Sequence, residues 1–148
     1  MTDPRVKSVP PPKESVPPFL NFAPLDNATD ALAHASAEYH KALERAAANG
    51  GAAIGKASLA EINQALMESE HKLTLEQGLP GRPWFKHFVD APGQYTGYEA
   101  KTLPVVREAI EQKQWKEADA GILITAQVLE TEAAHILSVA QKLDAAVR

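Results

Sequence analysis

The chain has 148 residues, a formal net charge of -4 at pH 7 and no cysteine. This length suits one domain with a substantial buried core, and the lack of cysteine excludes disulfides and thiol chemistry. The scattered basic residues argue against a nucleic-acid partner, and no apolar run approaches the roughly 18 residues of a membrane span. Abundant alanine favours helix.

The N-terminal segment, residues 1–17, is rich in proline and is predicted to be an extended leader or linker. An alternative is that it binds proline-recognising partners, which would make the protein a helical adaptor. The patch at residues 19–22 holds three large apolar side chains, which we expect to pin the leader to the domain body. The domain proper is therefore predicted over residues 18–148.

Asp26 or Asn27 is predicted to cap the first helix, because either side chain can accept hydrogen bonds from free N–H groups. Asn49-Gly50-Gly51 is expected to end it, since glycine suits the left-handed position after a helix. Between them lies an apolar stripe at helical spacing, made of Ala28, Leu32, Ala35, Tyr39, Leu43 and Ala46.

Ser58 and Glu61 form a potential capping box at the start of the second predicted helix. Gly78 and Pro80 are expected to stop this helix. Its predicted inner stripe consists of Leu59, Ile62, Leu66 and Leu73.

Residues 79–104, here called the central segment, separate the second predicted helix from the third. The segment holds four prolines, three glycines and five of the nine aromatic residues. Proline and glycine argue against a helix or a central strand, and so many aromatic rings favour packing over exposure. The pattern predicts a long crossover loop, a kind of loop that is usually functional.

Pro104 opens the third predicted helix, in the first turn where its missing N–H does no harm. That helix is predicted to reach Gln112 or Lys113, and the fourth is predicted to run from Gln114 to Ala146. The four patterns predict an all-α fold, a four-helix antiparallel bundle with the crossover loop between helices 2 and 3.

A di-iron carboxylate site is one alternative, because two Glu-x-x-His pairs occur, Glu68 with His71 and Glu132 with His135. At about 100° per residue, Glu68, His71 and His135 point about 145°, 160° and 125° away from the apolar stripes of their helices. These positions predict solvated surface and no metal site. The remaining ligands of such a site would have come from Glu38 or Glu44 and from Glu108 or Glu111.

The sequence contains neither the pattern of a nucleophilic triad nor a phosphate-binding glycine motif. Arg82 and His87 could bind a ligand, but an arginine between prolines is more often an anchor that bonds backbone carbonyls. Trp84, Phe85 and Phe88 are interpreted as packing groups. The predicted loop anchors are Arg82, Trp84, Phe85 and His87.

The chain resembles the C-terminal, transferrin-receptor-like dimerisation domain of glutamate carboxypeptidase II-type zinc peptidases, over about residues 18–148. The central stretch is the most specific part, because its arginine, aromatic, histidine and Ala-Pro elements occur together in order. Three stretches carry the resemblance: Pro18-Phe19-Leu20-Asn21-Phe22-Ala23-Pro24-Leu25; Leu79-Pro80-Gly81-Arg82-Pro83-Trp84-Phe85-Lys86-His87 with Ala91-Pro92-Gly93-Gln94-Tyr95-Thr96-Gly97-Tyr98; and Lys101-Thr102-Leu103-Pro104-Val105-Val106-Arg107-Glu108-Ala109-Ile110.

The resemblance implies that the chain is part of a larger enzyme. That enzyme would have a protease domain with two zinc ions and an inserted protease-associated domain, and both would be partners of this chain. The helical domain would also pair with its own copy in an isologous homodimer and would be catalytically inert alone, with no cofactor of its own. A secreted, periplasmic or membrane-anchored parent is compatible with the resemblance, and no membrane contact is expected from this segment.

The resemblance also implies that the central segment helps to wall the substrate pocket. A Lys-Tyr pair in the family falls here on Gly97 and Tyr98, so the Tyr98 hydroxyl is the candidate donor to a substrate carboxylate. Gly97 lacks the lysine charge, and Asp90 replaces a usual aromatic residue, which argues against strict glutamate selectivity. Without the rest of the enzyme, residues 93–100 are expected to be mobile or held by other contacts. The alternatives are a stand-alone four-helix metal-binding protein and a non-catalytic, receptor-like homologue.

Overall fold

A computed structural model of the chain describes residue 13 and residues 15–48, 54–96 and 98–147. The predictions for residues 1–12, for Asn49-Gly50-Gly51 and for Gly97 therefore lie outside the described residues. The described part is predominantly helical, as predicted, with one short two-stranded ribbon. Its elements are α1 (Ala23–Ala48), α2 (Lys56–Met67), α3 (Ser69–Lys72), β1 (Asp90–Pro92), β2 (Ala100–Thr102), α4 (Pro104–Glu111) and α5 (Trp115–Val147).

Helix α5 is the centre of the fold, because α1, α2, α3 and α4 all pack against it. One core cluster joins Leu25 of α1 to Ile122 of α5, and another joins Ala46 to Leu143. The start of α1 thus meets the first half of α5, and its end meets the last turns of α5. The two helices therefore run parallel, which corrects the predicted antiparallel four-helix bundle.

The sequence spacing explains this pairing of α1 and α5. Residues facing the partner recur in alternating steps of three and four, as in helices that pack with a small left-handed crossing angle. Ala28, Ala35 and Ala42 are fully buried, so small side chains bring the two helices close together. The α5 residues that share core clusters with α1 are Ile122, Ala126, Leu129, Val139, Ala140 and Leu143.

Helix α1 begins at Ala23, three residues before the predicted cap Asp26. The side-chain oxygen of Asn21 accepts a hydrogen bond from the Ala23 N–H at 3.1 Å and satisfies one free donor. Pro24 falls in the first turn, where its missing N–H costs no helical bond. The apolar patch at residues 19–22 also differs from prediction, because Phe19 is 89% exposed and Leu20 alone packs against a core cluster.

Helix α2 begins at Lys56 after Gly55, and no side chain caps it. The predicted capping box of Ser58 and Glu61 is therefore wrong. The helix ends at Met67, earlier than predicted, and one further turn follows as α3. Leu59, placed on the predicted inner stripe, is 45% exposed. The predicted limits of the last two helices agree with α4 and α5 to within about a residue.

The central segment is more ordered than a crossover loop. Strands β1 and β2 pair antiparallel, with Asp90 opposite Thr102, and further bridges join Thr74 to His87 and Leu79 to Arg82. Leu79, Phe88 and Ala91 are buried in a third cluster with Val128 of α5. The segment therefore lies against the flank of α5.

By length and composition alone, α5 could cross a membrane, with a mean hydropathy of 1.3 over its most apolar window. A helix at the centre of a hydrophobic core passes the same test. Helix α5 contributes residues to all three core clusters.

Candidate functional site

The base of the central segment is defined here as residues 79–92 and 100–104 together with Glu108. Its main polar contact is the pair Arg82 and Glu108, which are 4% and 8% exposed. One terminal nitrogen of Arg82 donates to both carboxylate oxygens of Glu108, at 2.9 and 2.8 Å. The other terminal nitrogen donates to the Pro92 carbonyl. The backbone turn from Leu79 positions the arginine, because the Arg82 N–H bonds the Leu79 carbonyl at 3.1 Å.

Glu108 has a further donor beyond Arg82. Its Oε1 accepts the backbone N–H of Gln94 at 2.8 Å. The pair therefore ties the turn around Arg82 and the end of β1 to helix α4. A buried charge is tolerated only when it is paired and hydrogen-bonded. Removal of one partner would leave the other charge buried and unpaired, which is strongly destabilising.

A second ion pair joins β2 to α4. Lys101 is 9% exposed, and its ammonium donates to Glu111, which also accepts from Arg107 at 3.2 Å. The Lys101 hydrogen bond, with a smaller effect of Arg107, holds the pKa of Glu111 below its ordinary value. The carboxylate therefore keeps its charge, and the base keeps this contact, in all but acidic solution.

His87 fixes the chain where it enters β1. Its Nδ1 accepts the backbone N–H groups of Val89 and Asp90, at 3.3 and 2.9 Å. A nitrogen that accepts hydrogen bonds carries no proton, so the neutral ring holds its proton on Nε2. Nε2 lies 2.9 Å from Oε1 of Glu70 in α3.

The two aromatic residues predicted as anchors differ in their surroundings. Phe85 is half-buried, and the Arg82 guanidinium lies 5.5 Å from the centre of its ring. Trp84 is 71% exposed and contacts Phe85 at 6.1 Å between ring centres. Within the described part of the chain, Trp84 is therefore much more exposed than Phe85, and the role of all four residues as loop anchors stays a prediction.

The tip of the central segment is defined here as residues 93–99, of which Gly97 lies outside the described residues. The Gly93 N–H bonds the Glu99 carbonyl at 2.9 Å and closes the tip above the ribbon. Tyr95 is 75% exposed and Tyr98 is completely exposed. The tip thus presents two tyrosine side chains outward from a base that is bonded to α4. Mobility of residues 93–100 stays a prediction.

An apolar groove of about 540 Å³ lies between the start of the central segment and α5. Leu79 and Pro83 line one wall, and Gly121 and Ile124 line the other. Elsewhere on α5, Leu123 is 60% exposed. The described surface therefore carries apolar area beside the segment.

The Glu-x-x-His pairs do not converge on one point. Glu132 is buried and accepts a hydrogen bond from the Ser69 hydroxyl, and His135 Nε2 lies 2.7 Å from the Ala65 carbonyl. The prediction of solvated surface is wrong for His135, which is half-buried because α2 covers that face of α5. His71 is exposed. Among the described residues, no three His, Asp or Glu side chains lie close enough together to hold a metal ion.

Glu108 and Lys101 are the site residues that sequence reasoning missed, since Glu108 was considered only as a metal ligand. Glu108 lies one helical turn after the buried Pro104 and beside the buried Ala109. A carboxylate on the inner stripe of a helix requires a cationic or hydrogen-bonding partner. That position is the signal from which a pairing with Arg82 could have been predicted.

Two sequence comparisons relate the chain to known proteins. Residues 20–138 match the model of the family described as transferrin receptor-like dimerisation domain. The chain is also similar to the "Probable glutamate carboxypeptidase LAMP1" of Arabidopsis thaliana, with 37% identity over 76 residues. That match covers 51% of this chain and 10% of the plant protein.

Proposed function

The chain belongs to the transferrin receptor-like dimerisation domain family, and from that premise we propose that it is the self-associating part of a glutamate carboxypeptidase-like peptidase. The match spans about a tenth of the curated relative's length. The two zinc ions and their ligands are expected in the remainder of such a protein. This chain then supplies a dimer contact and one wall of the substrate pocket, and it is inert alone.

Exposed apolar surface supports self-association. The groove beside the central segment, together with Trp84 and Leu123, offers side chains that a second copy would cover. Homodimers mostly close by two-fold symmetry, in which one patch meets its own copy. Large aromatic residues such as Trp84 are enriched among the residues that dominate binding energy.

Sedimentation equilibrium of the 148-residue chain tests self-association. We expect a mass of twice 16.0 kDa at high concentration. Trp84→Asp should weaken the dimer, whereas Met67→Asp, at an exposed position on α2, serves as the matched control. A strictly monomeric chain at every concentration would contradict self-association by this chain.

The contrast between base and tip carries the second part of the proposal, the wall of the substrate pocket. The bonds of Arg82 and Glu108 hold the base, while Tyr98 extends outward without burial. A rigid base with an exposed polar aromatic tip suits contact with a bound molecule. The Tyr98 hydroxyl would donate to a substrate carboxylate, beside Gly97, which has no side chain to contribute.

Tyr98→Phe in the full-length protein tests this role. Loss of one hydrogen bond of about 1 kcal/mol should raise KM about five-fold and leave the zinc content unchanged. Tyr95→Phe is the matched control for removal of an exposed hydroxyl from the same tip. An unchanged KM for Tyr98→Phe would contradict substrate contact, and a full-length protein that hydrolyses no peptide would contradict the peptidase assignment.

A further inference from the structure

The base holds three cationic side chains, and each is paired with a carboxylate. Lys86 is exposed and pairs with Glu76, whereas Arg82 and Lys101 are buried. One terminal nitrogen of Arg82 donates to the Pro92 carbonyl, and the other donates to the Glu108 carboxylate. Lys101 lies opposite Ala91 in the ribbon, and its side chain runs past Gly93 to Glu111. The two buried cations are therefore neutralised by carboxylates of α4.

Arg107, the next cation along the chain, belongs to α4 and shares Glu111 with Lys101. Its side chain is about half exposed, and its Nε lies 3.2 Å from Glu111. Four positive charges thus lie in or beside the base, and each has a carboxylate partner. This pairing leaves little positive potential for a bound molecule at the tip.

The outward side chains of the tip have the opposite character. Tyr95 and Tyr98 present phenol rings, and Glu99 is exposed. Gln94 and Thr96 are uncharged, so Glu99 is the one charged residue among the described residues of the tip. Aromatic faces attract cations and tolerate uncharged groups, whereas a carboxylate repels an acidic ligand.

We propose that the tip disfavours an acidic side chain on the terminal residue of the substrate and accepts an uncharged or basic side chain of similar size. This inference rests on the proposed function, because it assumes that the tip contacts substrate. It concerns the side chain only, since the terminal carboxylate itself can still meet the Tyr98 hydroxyl.

The test compares isosteric substrates of the full-length protein. Acetylated dipeptides ending in Glu, Gln or Lys are assayed for release of the terminal amino acid. Glu and Gln match in size and differ in charge, so the ratio of their kcat/KM values isolates the electrostatic effect. We expect kcat/KM for Gln to equal or exceed that for Glu, and Lys to be accepted.

Two charge-changing variants show whether the tip causes that preference. Thr96→Lys adds a cation to the tip and should raise the Glu-to-Gln ratio about ten-fold, the size of one charge-assisted contact of about 1.4 kcal/mol. Thr96→Gln is the matched control and should leave the ratio unchanged. Glu99→Gln removes the carboxylate and should raise the ratio by a smaller factor. The effect of Thr96→Lys should weaken with added salt.

The outcomes separate the two levels of the proposal. A wild-type preference for Glu over Gln of ten-fold or more would overturn this inference and leave the peptidase function in place. A ratio that neither Thr96→Lys nor Glu99→Gln changes would also overturn it, because the tip would then not contact the terminal side chain. Release of no amino acid from any of the three dipeptides would overturn the proposed function, and this inference with it.

Discussion

The base and the tip of the central segment adjoin in sequence and differ in how their polar groups are satisfied. Arg82 in the base is 4% exposed and bonds Glu108 and Pro92, whereas Tyr98 in the tip is completely exposed. Both regions contain glycine, aromatic and charged residues, so composition does not distinguish them. The difference comes from α4, whose Glu108 and Glu111 bond the side chains of Arg82 and Lys101 in the base but reach the tip only at the backbone N–H of Gln94. A base fixed in this way lets the tip vary in sequence without loss of the fold.

Among the variants that test this difference between base and tip, Arg82→Ala should have the largest effect on stability. The variant leaves the Glu108 carboxylate buried without its cation, which should cost about 3–5 kcal/mol of unfolding free energy. For a chain of this size, that loss corresponds to a fall in Tm of about 10 °C. Urea unfolding followed by circular dichroism measures the change.

Arg45→Ala is the matched control for Arg82→Ala, because Arg45 also pairs with a carboxylate. Its Nε and one terminal nitrogen donate to the two carboxylate oxygens of Asp144. The Arg45 side chain is half exposed, so its loss should cost much less than the loss of Arg82. The double variant Arg82→Met with Glu108→Leu should cost less than Arg82→Ala, because no charge stays unpaired. Equal losses for Arg82→Ala and Arg45→Ala would show that the base does not depend on the buried pair.

Phe88 and Trp84 extend the comparison to aromatic residues of the same segment. Phe88 is 1% exposed in the cluster with Val128, whereas Trp84 is 71% exposed. Phe88→Ala should cost about 3 kcal/mol, the lower end of the range for buried phenylalanine, and Trp84→Ala about 0.5 kcal/mol or less. Chemical denaturation at a concentration where the chain is monomeric separates these values from any effect on dimerisation. Similar losses for the two variants would mean that Trp84 is packed as well.

Gly78 and Gly81 test the turn that presents Arg82. Both have a positive φ, at +66° and +72°. A Cβ on Gly78 would lie 2.2 Å from the backbone carbonyl oxygen of Pro83, whereas a Cβ on Gly81 would meet the movable side chain of Gln94 at 3.2 Å. Gly78→Ala should therefore cost about 2 kcal/mol or more, and Gly81→Ala about 1 kcal/mol. Equal thermal shifts for the two variants would contradict the close approach at Gly78.

Helix positions could be predicted from the sequence where apolar spacing and proline gave independent signals. Pro104 marked the start of α4, and the long apolar stripe marked α5. The starts of α1 and α2 were misplaced because Asn21 acts through its contact with Ala23 and because Gly55 precedes α2 without any side-chain cap. Local sequence signals for capping compete with one another, and packing decides between them.

The direction of α1 relative to α5 was beyond sequence reasoning, because heptad spacing is the same for parallel and antiparallel neighbours. The partial burial of His135 was missed for a related reason. Its angle refers to one apolar stripe, but α5 is covered on several sides, by α2 and α3 as well as α1. In the candidate site, Arg82 was identified as an anchor from its neighbouring prolines. Its partner Glu108 lies 26 residues away, and only the folded chain brings the two together.

Glu111 gives the smallest expected effect, at the outer edge of the base. The hydrogen bond from Lys101 lowers its pKa in the folded chain from the ordinary value of 4.5. A lowered folded pKa means that the contact stabilises the fold fully above about pH 4.5 and is lost as the pH falls through the folded value. Glu111→Gln should therefore reduce stability near neutral pH and flatten its decline below pH 4.5, as measured by urea unfolding across pH 2.5–7. Lys101→Met should flatten the profile to the same extent, and the double variant should add nothing further, because both changes remove the same contact. If stability declines below pH 4.5 with the wild-type slope in either single variant, the pair of Lys101 and Glu111 does not help to hold the ribbon to α4, and Arg82 and Glu108 hold it alone.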